Sequence, residues 1–144
     1  QSTAGGIGIA AAGLSKGDVM NEDLAAQIEQ QREFGELICQ KLIASIEKLG
    51  FLTGIISSYP EYQAVQFQLT KDPLTGKSNL SGFWYDARKQ RIGRLQFQSD
   101  DSCYAEYDVV QNHPTKKQWF VEKVTAWGKM DALKAEPSLL RLPE

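Results

Sequence analysis

Three carboxylates in the C-terminal half have the spacing that could support chemistry. Glu106 and Asp108 are two residues apart, so on a strand they share one face, with Tyr104 in the same row. If the next strand returns antiparallel, Glu122 comes alongside them. Two close carboxylates split their pKa values and can serve as acid and base. The same residues also make a solvent-facing row neutralised across the sheet by Arg94 and Lys123, and this second reading is preferred. The only histidine, His113, lies in Asn112-His113-Pro114-Thr115. Its ionisation near neutrality suits a general base, but nothing in the sequence ties a carboxylate or a nucleophile to it. It reads as a solvated loop residue.

Other chemical patterns are weaker. Cys39 and Cys103 are too far apart, and too differently placed, for a disulfide framework or for zinc-ligand spacing. They read as reduced, buried thiols of a cytoplasmic protein, and no metal or cofactor is expected. Gly6-Ile7-Gly8-Ile9-Ala10-Ala11 is similar to a dinucleotide fingerprint, but no strand precedes it to aim a helix at a pyrophosphate. Arg88, Lys89, Arg91 and Arg94 follow Trp84 and Tyr85, a pairing that could hold phosphates and stack bases. The formal net charge of −2 and the acids over residues 18–36 oppose a polyanion. A charged hairpin tip explains the cluster as well, and nucleic acid is not an expected partner.

The elements that position these residues follow from periodicity. The 144 residues suggest one domain. Residues 1–20 form a Gly/Ala-rich tail, read as flexible, and 21–144 a single α+β domain. The tail lacks the basic leader of a secretory signal and is not read as one. No run approaches the length of a membrane span. A helix is expected from about 22 to 49, with Asn21 as N-cap and Gly50 as the C′ residue. Leu24, Ile28, Phe34, Leu37, Ile38, Leu42, Ile46 and Leu49 share one face. Six strands are expected: 51–58, 62–70, 82–87, 92–98, 103–110 and 119–127. The last carries apolar residues on both faces, so it should be central, bulged or covered on both sides. Residues 131–144, with Pro137 and Pro143, read as an irregular tail whose leucines dock.

Ser81-Gly82-Phe83-Trp84-Tyr85 is similar to the Gly-x-Trp opening of lipocalin-like and avidin-like barrels. Those barrels do not begin with a long helix, so no ligand or site is carried over. The expected architecture is a long N-terminal helix on a twisted five- or six-stranded antiparallel meander. Its core is the face of Val65, Phe67, Leu95, Phe97, Tyr107 and Val109. It resembles the cystatin-like α/β roll, a likeness of architecture that implies no function.

No catalytic set stands out. A non-enzymatic binding or self-association module is therefore the first reading. A small-molecule pocket or minor enzyme on the polar sheet face is the alternative, and nucleic-acid binding the third. The residues assigned to ligand or partner contact are Trp84, Arg94, Gln96, Tyr104, Glu106, Asp108 and Glu122. A helix of 28 residues spans about 42 Å, against about 24–29 Å across six strands. Overhanging Leu24 and Ile28 are therefore expected at a homodimer interface.

Overall fold

A computed structural model describes residues 16–143. Two helices, α1 (Lys16–Gln30) and α2 (Arg32–Glu47), precede six strands. These are β1 (Gln66–Lys71), β2 (Ser78–Tyr85), β3 (Arg91–Phe97), β4 (Ser102–Asn112), β5 (Trp119–Lys129) and β6 (Lys134–Arg141). The strands form one antiparallel meander in the order β1-β2-β3-β4-β5-β6. Both helices lie on the same side of it, α1 over β1 and β2, α2 over β4, β5 and β6. The α+β class is as the sequence suggests.

The single long helix is instead two. The break falls at Gln31 (φ −94°, ψ 3°). The Ile28 carbonyl, in the last turn before the break, accepts a hydrogen bond from Tyr62 Oη at 2.6 Å. Gly35, in the first turn of α2, makes room for the same side chain. A Cβ there would overlap the Tyr62 ring, so only glycine lets that ring lie against α2. Asn21 lies inside α1 and is not its cap. Residues 16–20, assigned to the tail, are also helical; the rest of the expected tail, 1–15, lies outside the described residues. At the other end, Lys48 caps α2 and Gly50 comes two residues later, at φ +90°.

The strand at 51–58 does not form. Its β-branched composition suits a strand, but Gly54 at φ +89° folds the segment back and the Ile55 N–H bonds the Leu52 carbonyl at 3.2 Å. Phe51 and Ile56 pack on the core while Leu52 and Ile55 are exposed. The loop is pinned at its far end, where Ser58 Oγ pairs with Tyr107 Oη at 2.8 Å and Trp84 Nε1 donates to the Glu61 carbonyl at 2.9 Å. Tyr62–Ala64 is a 3-10 turn, so the second expected strand begins only at Gln66. The sixth strand comes instead from Lys134–Arg141, which was read as irregular. Pro137 lacks a backbone N–H, and it is tolerated because β6 is an edge strand.

The core lies between the helices and one sheet face. Phe34, Ile38, Leu42 and Ile46 of α2 meet Trp84, Leu95, Phe97, Ala105, Tyr107, Val124 and Ala126. Val121 and Val124 are three apart, yet both are fully buried. A register shift between Val121 and Lys123 makes this possible, since one extra residue resets the alternation. This is why the strand reads as apolar on both faces. Leu24 and Ile28 are half-buried against the same core instead of overhanging it.

Candidate functional site

The sheet has a second face, and among the described residues no element covers it. The strand register lays its side chains out in rows. One row runs Gln68, Ser81, Gln96, Tyr104, Trp127, Lys134. The next runs Gln66, Phe83, Arg94, Glu106, Thr125, Glu136. A third contains Asp108, Lys123 and Ser138. Five of the seven expected contact residues, Arg94, Gln96, Tyr104, Glu106 and Asp108, therefore share this face. Glu122 joins them from the β5 irregularity, where Ser138 Oγ donates to its Oε1 at 3.2 Å. Trp84 does not. It is on the helix-facing side, 2% exposed, with its ring edge-on to Tyr107.

Glu106 is the centre of the open face. Its Oε1 accepts from Arg94 Nε at 2.9 Å. Its Oε2 accepts from Lys123 Nζ at 2.9 Å and from Tyr104 Oη at 3.1 Å. The Arg94 guanidinium also lies 5.0 Å from the centre of the Tyr104 ring. Burial alone pushes the Glu106 carboxyl up; the hydrogen bond and charge of Lys123, then Arg94 and Tyr104, outweigh it and hold it below its ordinary value. The hydrogen bond to Glu106 in turn holds the Lys123 ammonium up. Asp108 goes the other way. Desolvation comes first and the charges of Glu106 and Glu122 add to it, so its carboxyl is raised.

The charge row is thus paired across the sheet, and Glu106 has three donors occupying its oxygens. Such a carboxylate is a poor proton acceptor. Arg94 is spent inside this cluster, and Arg91 stacks 3.6 Å from the centre of the Phe83 ring. Two of the four cations that suggested phosphate contact, Arg91 and Arg94, are therefore already engaged. His113 is engaged as well: its Nδ1 accepts the backbone N–H groups of Thr115 at 3.1 Å and Lys116 at 3.0 Å. Cys39 and Cys103 are free and buried, and burial pushes both thiols up to about 12, with Glu36 and Glu61 adding to the shift at Cys39. Among the described residues, no group of three or more His, Cys, Asp or Glu side chains is placed to hold a metal ion. No described helix is long and apolar enough to cross a membrane.

Sequence reading passed over Phe83 and Trp127, both half-exposed on this face. The signal for Phe83 was parity with Ser81, because Leu80, Gly82 and Trp84 take the buried side. For Trp127 it was parity with Lys123 and Thr125 beyond the irregularity. At one end of the face, Thr70, Asp72, Asn79, Ser81, Gln96 and Gln98 border an open polar depression of about 380 Å³. Comparison with known protein families, curated proteins and solved structures finds no match.

Proposed function

We propose that the protein is a non-enzymatic binding or self-association module that works through the open sheet face. The observation that carries this reading is a sheet face bare among the described residues, with Phe83, Tyr104 and Trp127 half-exposed around a mutually paired Arg94–Glu106–Lys123 cluster. Paired charges present a pre-organised surface, and aromatic side chains offer large contact area at low entropy cost. The partner is another protein or a second copy of the chain, as a homodimer. The two free, buried thiols support a reducing compartment such as the cytoplasm.

The test is capture of partners by wild type and by the Tyr104→Ser/Trp127→Ser double variant, with circular dichroism to check that the fold is kept. Partners held by wild type and lost by the variant support the proposal. Equal capture by both overturns it.

A small-molecule pocket or minor enzyme is the second reading. It is favoured by the open polar depression of about 380 Å³ that Thr70, Asp72, Asn79, Ser81, Gln96 and Gln98 border on this face. Polar small molecules that shift amide resonances of Gln96 or Asp108 support it; a titration silent at both removes it.

A further inference from the structure

The two edges of the sheet are built differently. The outer strand β6 carries Pro137, has cations at both ends in Lys134 and Arg141, and faces an irregular stretch of β5. These are the devices that stop an edge from pairing with another chain. The opposite edge, β1, has no proline, no irregular neighbour and a cation at one end only. Its six residues, Gln-Phe-Gln-Leu-Thr-Lys, pair with β2 in unbroken register from Gln66 to Lys71. They include no proline and only one charge, Lys71 at the end. Among the described residues, no backbone hydrogen bond reaches the outer side of β1. The helix α1 lies over β1 and β2 and so leaves the edge open.

We propose that β1 is a homodimerisation edge, pairing antiparallel with β1 of a second copy to make one continuous sheet. This rests on the reading of the protein as a self-association module and names the surface and the partner. The register follows from the two faces of the strand. Directly opposed residues in an antiparallel pair lie on the same side of the sheet, and a one-residue slip would carry Phe67 and Leu69 out of the core layer. A two-fold axis at Gln68 satisfies this. It sets Gln68 against Gln68, Phe67 against Leu69 and Gln66 against Thr70. It is also the longest overlap within β1 that leaves Lys71 out, so no charge opposes a like charge or an apolar residue between Gln66 and Thr70.

The apolar layer supports the same axis. Phe67 and Leu69 at this margin are only half-buried, as are Leu24 and Ile28 on the helix above. A second copy brings its own α1 to the same side of the seam, where these four residues meet their counterparts. The isologous arrangement closes, so it yields a dimer and not a fibre.

Light scattering and cross-linking of the full chain test this. Wild type should have about twice the 16.1 kDa chain mass. Gln68→Cys should give a covalent dimer under mild oxidation, because opposed side chains at the axis are within disulfide reach. Leu74→Cys, in the exposed β1–β2 loop, should not. The triple variant Gln66→Lys/Gln68→Lys/Thr70→Lys places three lysine pairs across the seam. It should raise the dimer Kd about 10-fold or more, with an unchanged circular dichroism spectrum since all three positions are exposed. A wild-type chain mass of 16.1 kDa at millimolar protein overturns the proposal and leaves partner capture by the open face to its own test. A wild-type dimer that resists the three lysines and does not cross-link through Gln68→Cys overturns the edge while keeping self-association.

Discussion

One sheet presents two faces built from alternating residues of the same strands. In β4, Cys103, Ala105, Tyr107 and Val109 are buried under the helices, while Tyr104, Glu106 and Asp108 look outward. In β3, Leu95 and Phe97 are buried and Arg94 and Gln96 are not. The buried side is held by volume and shape. The open side is held by a lateral hydrogen-bonded charge cluster that contributes little to folding and leaves surface available. The same backbone thus separates stability from recognition by a shift of one residue.

That separation is sharpest at Phe97 and Gln96. Phe97 is 4% exposed and its ring lies 5.5 Å from that of Phe34. Phe97→Ala should destabilise by about 3–5 kcal/mol. Gln96→Ala should stay within about 0.5 kcal/mol. Urea unfolding that ranks the two equally would remove the distinction between the faces. Gly35 tests the helix side of the buried face. Gly35→Ala pushes a methyl into the Tyr62 ring and should cost about 1–3 kcal/mol, although alanine is the better helix former. A stabilised variant in thermal melts would show that Tyr62 moves freely.

Much of this was legible in the chain. Strands with clean alternation, β3 and β4, were placed to within two residues, and the Arg94–Glu106 pairing follows from their register; Lys123, opposite Asp108 on β5, reaches Glu106 diagonally. The rest was hidden for physical reasons. Residues 51–58 have strand composition, but glycine conformation and the pull of Phe51 and Ile56 into the core make them a loop. The residues of β6 carry a proline and leucines without alternation, and only its place at the edge makes it a strand. Nothing at Gln31 marks a helix break, because the group that takes up the Ile28 carbonyl, Tyr62 Oη, is 34 residues away. Trp84 was assigned to the wrong face because three aromatics in succession, Phe83-Trp84-Tyr85, erase the alternation that parity needs.

On the open face the expected effects are smaller and depend on pH. Glu106 is held below its ordinary pKa in the folded state, so its contribution is present above the unfolded carboxylate range and is lost as pH falls through the folded value. Glu106→Gln should cost about 1 kcal/mol at pH 7 and flatten the loss of stability in acid. Asp108 has the opposite sign. Its raised pKa contributes stability fully only below the unfolded value, and this is lost as pH rises through the folded one. Asp108→Asn should therefore be neutral or slightly stabilising at pH 7. Denaturation of both variants between pH 3 and pH 7 checks the signs; parallel curves for the two would mean that Lys123 does not discriminate between the carboxylates.

A local effect of similar size belongs to His113, outside both faces. Its Nδ1 gathers two backbone N–H groups of the β4–β5 loop, the task an aspartate or asparagine side chain performs in a turn. The neutral ring can do this only with the proton on Nε2, because Nδ1 must offer its lone pair. His113→Ala should cost about 0.5–1.5 kcal/mol. His113→Asn should recover most of it, since the amide oxygen can accept the same donors. Amide exchange at Thr115 and Lys116 reads this directly. It should quicken in the alanine variant and stay slow with asparagine. Exchange that quickens equally in both would mean that the ring holds the loop by its bulk and not by its nitrogen.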